Sequence, residues 1–260
     1  MRTTIHDLRK MKKDGRPIPV LTCYDYTAAK ILESAGVPVL LVGDSLGMVV
    51  HGFDTTLPVT LELMLFHSRA VARGAKEALI VLDMPFATYS AADPALSLKN
   101  AARCLAEGGA QAVKIEGGAR MAQVAASLVA SGIPVMGHIG LTPQSIHQFG
   151  GYRVQGKDDS SRKRLLADAL ELESAGVFSI VLELVPGDLA GEISKRLKIP
   201  TIGIGAGKDC DGQVQVFHDV FGLYEDFVPK HTRRYTQGAA SIREAAKAYV
   251  SDVVARKFPE

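Results

Sequence analysis

The segment 94–115 shows the unit from which the chain is built. Pro94-Ala-Leu-Ser-Leu-Lys-Asn-Ala-Ala-Arg-Cys-Leu-Ala-Glu-Gly108 leads within a few residues into Ala112-Val-Lys-Ile115. The first part is rich in Ala, Leu and Lys, which favour a helix, and Gly108 suits the left-handed residue that often ends one. The second part is a short apolar run, typical of a strand buried on both faces of a parallel sheet. The pair predicts a helix that leads into a strand.

The same alternation extends along the chain in both directions. Strands are predicted at 18–22, 37–42, 79–82, 112–115, 133–136, 178–182, 200–204 and 214–217. Helices are predicted at 26–34, 61–73, 94–107, 120–130, 160–174, 188–197 and 241–254. Eight strand–helix units in a chain of this length predict an α/β fold, a single (β/α)₈ barrel. A doubly wound open sheet is the alternative, because strand number alone does not separate the two.

The ends of the chain and its connections complete this prediction. Residues 1–16 are amphipathic and precede the first strand, so we expect a helix there that closes the bottom of the barrel. No segment is rich in Ser, Pro and Gly, as a linker would be. The sequence therefore predicts one domain over residues 1–260.

Composition excludes several classes of protein. The 260 residues include 30 Lys and Arg against 28 Asp and Glu, a net charge of +2, which argues against nucleic-acid binding. No apolar run approaches the ~18 residues that span a bilayer, and the first ten residues lack the apolar core of a secretory signal. The three cysteines are widely spaced, which excludes a disulfide framework and a thiolate zinc site. We therefore expect a cytoplasmic protein.

Ionisable residues stand at the ends of five consecutive predicted strands. Chemistry in a (β/α)₈ barrel collects at the carboxyl ends of the strands. Alternate residues of a strand share a face, so Lys114 lies on the same face as Glu116, and Asp83 on the same face as Val81. If that face is the barrel interior, six groups converge at one end: Asp44, Asp83, Lys114, Glu116, His138 and Glu183.

Four carboxylates at one site would repel one another unless a cation compensates them. Oxygen ligands without thiolates indicate Mg²⁺ rather than Zn²⁺, and Mg²⁺ usually takes one or two protein carboxylates. Asp44 and Asp83 are the best candidates for direct ligands, with Glu116 either direct or one layer further out. Lys114 would then face a negative group of the substrate.

Two motifs suggest other chemistry. Gly43-Asp-Ser-Leu-Gly47 has the form of a serine hydrolase motif, but no convincing helix is indicated after it, and the later Asn-Asp and Asp-x-x-His blocks of such enzymes are absent. Gly203-Ile-Gly-Ala-Gly-Lys208 only approximates a phosphate loop, and close backbone packing is the favoured interpretation. Lys114 could form a Schiff base, but neighbouring acids favour a charged lysine.

Six blocks of sequence resemble one family, ketopantoate hydroxymethyltransferase. They are Leu41-Val-Gly-Asp-Ser-Leu-Gly-Met48, Thr56-Leu-Pro-Val-Thr60, Val113-Lys-Ile-Glu-Gly-Gly118, Gly137-His-Ile-Gly-Leu-Thr-Pro-Gln-Ser145, Phe149-Gly-Gly-Tyr-Arg-Val-Gln-Gly156 and Ile202-Gly-Ile-Gly-Ala-Gly207. The blocks occur in order over most of the chain. The fourth and fifth are specific enough to make coincidence implausible.

The resemblance implies a barrel of the phosphoenolpyruvate/pyruvate type and a defined reaction. A one-carbon unit would pass from 5,10-methylenetetrahydrofolate to 3-methyl-2-oxobutanoate through a metal-bound enolate, giving 2-dehydropantoate for pantothenate synthesis. By this resemblance Asp44 and Asp83 are magnesium ligands with Glu116 beside them, and Ser45 and Lys114 contact the keto acid. Glu183 is the proton acceptor, and His138 is a candidate proton relay. The family also implies a cytoplasmic homo-oligomer, commonly a decamer.

Two alternatives remain at this point. A related Mg²⁺-dependent C–C lyase on the same barrel would usually carry a cysteine in a reactive loop, and none of the three cysteines here lies in such a context. A non-catalytic protein that binds keto acid or folate would bind its ligand without exchanging the C3 proton.

Overall fold

Eight parallel strands close into a barrel in the order of the chain, with β1 paired to both β2 and β8. The computed structural model describes residues 2–226 and 228–259. The strands are β1 (Ile18–Thr22), β2 (Val39–Val42), β3 (Leu79–Asp83), β4 (Ala112–Glu116), β5 (Val135–Gly140), β6 (Ser179–Glu183), β7 (Thr201–Ile204) and β8 (Gly212–Gln215). The closed barrel confirms the predicted fold, and the open sheet was the wrong alternative.

Helices connect the strands and cover the outside of the barrel. They are α1 (Ile5–Lys13), α2 (Tyr26–Ser34), α3 (Leu46–Val49), α4 (Leu61–Gly74), α5 (Pro94–Ala106), α6 (Ala122–Ala130), α7 (Ile146–Phe149), α8 (Asp159–Ser174), α9 (Gly187–Arg196), α10 (Phe217–Val220) and α11 (Ile242–Val254). All seven predicted helices are present: the helix predicted at 26–34 coincides with α2, and the ends of the other six shift by one or two residues. Most of the longer ones begin with a side chain that accepts from the first turn, as Asp25 does from the Ala28 amide.

Helix α1 closes the amino-terminal end of the barrel, as predicted. Its Leu8 is fully buried against Ile18 and other interior residues. The Lys12 ammonium donates to the carbonyl oxygens of Ser194 and Ile199 and pairs with Asp211 at 2.8 Å. These bonds satisfy two backbone carbonyl groups and one carboxylate at the amino-terminal end of the barrel and fix α1 across it. The helix does not cover the carboxyl end, where the chemistry is expected.

The barrel interior is a packed core whose layers follow the two-residue period of the strands. Small and branched side chains from all eight strands fill it, including Val39, Val81, Ala112 and Val181. The same period carries the interior face of each strand to its carboxyl end. The two-residue period therefore places Asp83 on the same interior face as Val81, and Lys114 on the same interior face as Ala112, one step closer to the carboxyl end of each strand.

Three details differ from the predicted pattern. Strand β5 runs on to Gly140, so His138 lies inside the strand and not after it. Strand β8 lies two residues earlier than predicted, because Val216 and Phe217 continue the apolar run but belong to the start of α10. A short helix, α3, follows Ser45, where the sequence did not indicate one.

No helix in residues 2–226 and 228–259 is both long and apolar enough to cross a bilayer.

The buried hydroxyl of Tyr249 joins helix α11 to the barrel, and the contribution of this contact to stability can be tested. The Tyr249 hydroxyl lies 2.9 Å from the carbonyl oxygens of both Val20 and Gln213. We expect Tyr249→Phe to lower the free energy of unfolding by about 1–2 kcal/mol, because it removes a buried donor. Tyr26→Phe, at an exposed tyrosine, is the control. Equal denaturant midpoints for the two variants would contradict this role.

Candidate active site

The six predicted groups meet at the carboxyl end of the barrel. Asp83, Lys114, Glu116 and His138 project from β3, β4 and β5, and Glu183 ends β6. Asp44 follows β2 by two residues. Five of the six groups are at most 4% exposed, and only the Glu183 side chain, at 16%, reaches into open space. The structure thus brings every predicted ionisable residue together.

Sheet register explains the pairing of opposite charges. Asp83 lies opposite Lys114 across β3 and β4, and the lysine Nζ is 2.8 Å from Asp83 Oδ1. The contact is an ion pair whose direction is not that of a hydrogen bond, since Oδ1 has no hydrogen-bond partner among the described residues. The other oxygen, Oδ2, accepts from the Asp44 amide at 3.1 Å. Asp83 therefore joins the lysine to the loop that carries Asp44.

His138 connects the middle of the site to Glu183. Its Nδ1 lies 3.4 Å from Glu116 Oε1, and its Nε2 lies 3.2 Å from Glu183 Oε2. Burial and the nearby Lys114 charge lower the pKa of His138, but the contacts with the two glutamates outweigh them and raise it to about 9. His138 is therefore protonated at neutral pH and holds Glu183 beside the cavity.

Gly140 allows Glu183 its position at the end of β6. The glycine has φ +95°, and a Cβ there would lie 2.2 Å from the Glu183 carbonyl oxygen. No other residue fits so close an approach. The backbone at the end of β5 therefore fixes where β6 ends and where its last side chain starts.

Gln144 and Tyr89 link the acids from the loops, and the sequence did not point to either. The Gln144 amide nitrogen of the side chain donates to Asp44 Oδ2 at 2.8 Å, and its backbone amide donates to Glu116 Oε2 at 3.0 Å. The Tyr89 hydroxyl donates to Gln144 Oε1 at 2.7 Å and accepts from the Glu116 amide at 2.9 Å. For Gln144 the sequence offered one signal, its position within the block 137–145. Tyr89 lies in a loop that shows no sequence motif or periodicity.

Burial and like charges decide the protonation of Asp44. Burial is the largest cause, and the nearby Asp83 and Glu116 add to it, so that the pKa of Asp44 rises to about 8. Burial opposes the charge on Lys114, but Asp83, Glu116 and Asp44 outweigh it and raise the lysine pKa. The site thus keeps its lysine charged and, without a further cation, cannot ionise all its acids at neutral pH.

Asp44 and Asp83 have the chemistry of magnesium ligands. Asp83 Oδ1 is a buried oxygen that contacts the Lys114 ammonium, and Asp44, whose pKa stays raised despite Lys114, needs a further positive neighbour to ionise at neutral pH. Both oxygens of Glu116 already contact His138 and Gln144, which fits an outer position. Among the described residues no three acidic, histidine or cysteine groups form a preassembled cage. Two carboxylates nevertheless suffice, because Mg²⁺ usually keeps several waters.

Ser45 has no partner that would make it a nucleophile. Its hydroxyl lies 2.9 Å from the Tyr24 hydroxyl, and no hydrogen bond to a histidine is present in the described residues. A serine hydrolase needs a histidine base in contact with the serine. The short helix α3 follows Ser45, so the local backbone is compatible with a serine hydrolase. The argument against that chemistry is the missing histidine base.

His51, His67 and the late glycine motif have structural surroundings. His67 lies in α4 and contacts the Tyr24 carbonyl oxygen at 2.7 Å and His51 at 3.0 Å. Gly207 has φ +77°, and a Cβ there would lie 2.9 Å from the Cα of Gly187. The backbone thus packs closely at this rim of the barrel, which is the arrangement that the sequence favoured.

A cavity of about 850 Å³ opens above the acids. Its volume is typical of a site for a drug-sized ligand. It extends from Asp83 and Glu183 across the barrel to α10 and to the loop after it, where Tyr224 and Val228 line it. Asp219 in α10 also lines this part. The sequence analysis did not select Asp219, although it follows the predicted strand 214–217 by two residues, as Asp44 follows the predicted strand 37–42.

Comparison with known proteins gives one family. The family model described as ketopantoate hydroxymethyltransferase matches residues 2–260. The 3-methyl-2-oxobutanoate hydroxymethyltransferases of Chloroflexus aggregans and Roseiflexus sp. are 58% and 57% identical, each over 100% of this chain and 92% of the relative. That of Carboxydothermus hydrogenoformans is 54% identical over 100% of this chain and 94% of the relative.

Solved structures agree in fold. Phosphonopyruvate hydrolase, solved as a complex with oxalate and Mg²⁺, has a TM-score of 0.60 at 13% identity and covers 83% of this chain and 81% of its own. The 2,3-dimethylmalate lyase of the PEP mutase/isocitrate lyase superfamily has a TM-score of 0.58 at 16% identity, covering 82% and 81%. At such identities the likeness shows the barrel alone.

The crowded acids predict how stability depends on pH when a chelator is present. The pKa of Asp44 is raised from its ordinary value of 3.8 to about 8, so between those values the folded state holds a proton that the unfolded chain has lost, and stability falls as pH rises until about 8. The pKa of His138 is raised from 6.5 to about 9, so the stability that its charge contributes is lost as pH rises from about 6.5 through about 9. We therefore expect unfolding midpoints measured in EDTA to fall between pH 5 and pH 9.

Asp44→Asn isolates the aspartate contribution. The asparagine oxygen can still accept from Gln144 but carries no charge, so we expect a shallower fall in the midpoint over the same range. Asp54→Asn, at an exposed aspartate, is the control. A pH dependence of Asp44→Asn equal to that of the wild type would contradict the assignment.

Proposed function

The chain belongs to the ketopantoate hydroxymethyltransferase family, and we propose that it performs the family's reaction at the site formed by Asp44, Asp83, Lys114, Glu116, His138 and Glu183. It is an enzyme that transfers a hydroxymethyl group to 3-methyl-2-oxobutanoate. The finer proposal is that 5,10-methylenetetrahydrofolate is the donor, that an enolate of the keto acid is the intermediate, and that 2-dehydropantoate is the product.

One observation carries this proposal. All six groups line the cavity, and Glu183 is the most exposed of them: it stands on β6, three strands from the β3 strand that carries Asp83, with His138 Nε2 at 3.2 Å. A keto acid bound over Asp44 and Asp83 would therefore present its C3 proton to a carboxylate on a different strand. Removal of that proton gives the enolate that the reaction requires.

Lys114 and Ser45 bind the keto acid in this proposal. Lys114 is charged and buried, so its attraction for the substrate carboxylate and for the developing enolate charge is little screened by water. Ser45 lines the same cavity, with its hydroxyl oriented by Tyr24. The two residues fix the acid end of the substrate and leave C3 free to face Glu183.

Glu183 acts as the general base and His138 as its support. The C3–H bond breaks, the proton passes to a Glu183 oxygen, and the electron pair remains on the keto acid as the enolate. The protonated His138 lies 3.2 Å from Glu183 and keeps the carboxylate oriented for the transfer. A relay through His138 would require the ring to give up a proton first, so its role in this proposal is to orient the base. Glu116, which contacts the other ring nitrogen, holds the imidazole in place.

Asp44 and Asp83 would hold Mg²⁺, with Glu116 behind them. When bound, the metal supplies Lewis-acid polarisation of the ketone, which acidifies the C3 proton. The carbon that loses the proton then bonds to the one-carbon unit of the donor, and tetrahydrofolate leaves. One water enters the overall balance, because the hydroxyl oxygen of the product is present in neither substrate.

The surroundings of the cysteines argue against the alternative of a lyase that uses a reactive thiol. All three cysteines are buried, none lines the cavity, and burial raises the pKa of Cys104 and of Cys210 to about 12. Such thiols are inert. Family membership favours the transferase over a protein that only binds the keto acid.

The remaining expectations are proposals about the whole protein. We propose that residues 1–260 act as one domain, since one barrel supplies every residue of the site. A homo-oligomer, commonly a decamer in the family, and a cytoplasmic location stay predictions from the resemblance and the cysteine content. The small-molecule partners are the keto acid and the folate.

Proton abstraction by Glu183 can be tested alone. We expect Glu183→Gln to lower the rate of deuterium exchange at C3 of 3-methyl-2-oxobutanoate by about 10²–10⁴-fold, because the amide cannot accept the proton. Binding of the keto acid and of Mg²⁺ should persist. Proton NMR in D₂O measures the exchange, and Glu171→Gln, at an exposed glutamate outside the cavity, is the control. Exchange at the wild-type rate in Glu183→Gln would remove this residue as the base.

The metal proposal has its own test. We expect Asp83→Asn to weaken Mg²⁺ binding at least about tenfold, because it removes one of two charged ligands. Titration calorimetry with Mg²⁺ measures the affinity directly. Wild-type transfer should stop in EDTA and return when Mg²⁺ is added in excess. Full activity of the wild type in EDTA would contradict the proposal.

A further inference from the structure

The cavity has a second half that the keto-acid chemistry does not use. The ionic groups already described come from β2 to β6, whereas the wall built by β7, β8, β1 and the loop after α10 combines apolar side chains with Thr22, Gln215, Lys230 and His231. Val214, Val216, Tyr224 and Val228 line this half. A small branched keto acid fills little of the 850 Å³. The rest has the size and the lining of a site for a larger, flat molecule.

Asp219 is the one acidic side chain among the described residues that line that half. It is 7% exposed, and its carboxylate has no hydrogen bond or ion pair within residues 2–226 and 228–259. Burial raises its pKa to about 6, and the charge of Arg234 only partly opposes this. Neither oxygen of the carboxylate is among the fully buried side-chain atoms that lack a partner in the described residues, so the group stays accessible at the cavity wall and can accept hydrogen bonds from a bound molecule.

Helix α10, which carries Asp219, is fixed at both of its ends. The Phe217 amide donates to the Thr22 hydroxyl at 2.8 Å, and the Tyr235 amide donates to the Val220 carbonyl oxygen at 2.8 Å. Asp219 itself caps no amide in the described part of the chain. The nearby Tyr24 hydroxyl is directed to Ser45. The carboxylate is therefore held in place without a structural bond of its own.

We propose that Asp219 binds the amino-pyrimidinone edge of the pterin ring of the folate donor. This inference rests on the proposed function, which requires such a donor. The edge presents a ring N–H beside an amino group, two adjacent donors in one plane, and a carboxylate accepts such a pair through both oxygens. The ring faces would pack between Val216 and Tyr224. The one-carbon unit then points across the barrel toward the keto acid.

Direct binding of a reduced folate tests the inference. With 5-formyltetrahydrofolate as the probe, we expect equilibrium dialysis to show at least tenfold weaker binding to Asp219→Asn than to the wild type. The asparagine has nearly the same shape but offers one acceptor and one donor in place of two acceptors. Asp219→Glu keeps the carboxylate, so its loss should be smaller. Asp54→Asn, an exposed aspartate outside the cavity, is the control.

Deuterium exchange at C3 of the keto acid, which needs no folate, shows whether the other half of the cavity is intact. We expect Asp219→Asn to retain exchange within about threefold of the wild type, since Asp219 is not among the groups that bind or deprotonate the keto acid. Unchanged probe binding by Asp219→Asn would overturn the inference, as would equal losses in the Asn and Glu variants or a parallel loss of exchange. Absence of probe binding by the wild type would overturn the proposed donor as well.

Discussion

Repulsion among buried carboxylates is the constraint on which the site depends. Asp44, Asp83 and Glu116 lie at the end of three neighbouring strands, nearly without solvent. Lys114 neutralises one charge through Asp83, and His138 a second through Glu116. Asp44 has no ion pair among the described residues, and its burial, followed by the repulsion of Asp83 and Glu116, raises its pKa to about 8. A divalent cation would restore the balance, and a keto acid bound to it would lie beside Glu183.

The arrangement is rigid because strands and loops hold it together. Register across β3, β4 and β5 sets Asp83 against Lys114 and Glu116 against His138. Gln144 then joins Asp44 to Glu116, and it is itself held by Tyr89. Preorganised charges of this kind cost little rearrangement when the substrate ionises. The fold thus contributes to the chemistry because it holds the carboxylates of Asp44, Asp83 and Glu116 closer together than their mutual repulsion would otherwise allow.

Strand periodicity explains the features that could be predicted from the sequence. The barrel follows from the alternation of strand and helix segments and the closing helix from the amphipathic residues 1–16, whereas the convergence of Lys114, Glu116 and Glu183 follows from the two-residue period and the position of strand ends. Tyr89, Gln144 and Asp219 were missed, because a loop path depends on packing between distant segments. Asp219 had a signal that was not used, because it follows the predicted strand 214–217 by two residues; in the structure it lies in the short helix α10, four residues after the end of β8.

The central claim is that Asp44 ionises only when a cation joins the site, and proton release tests it most directly. Mg²⁺ titrations at pH 7, by calorimetry in two buffers with different ionisation enthalpies, count the protons released. The account predicts that the wild type releases close to one proton for each Mg²⁺ bound. Asp44→Asn should release almost none and bind more weakly. Tight binding of Mg²⁺ without proton release, or equal release by the two proteins, would contradict it.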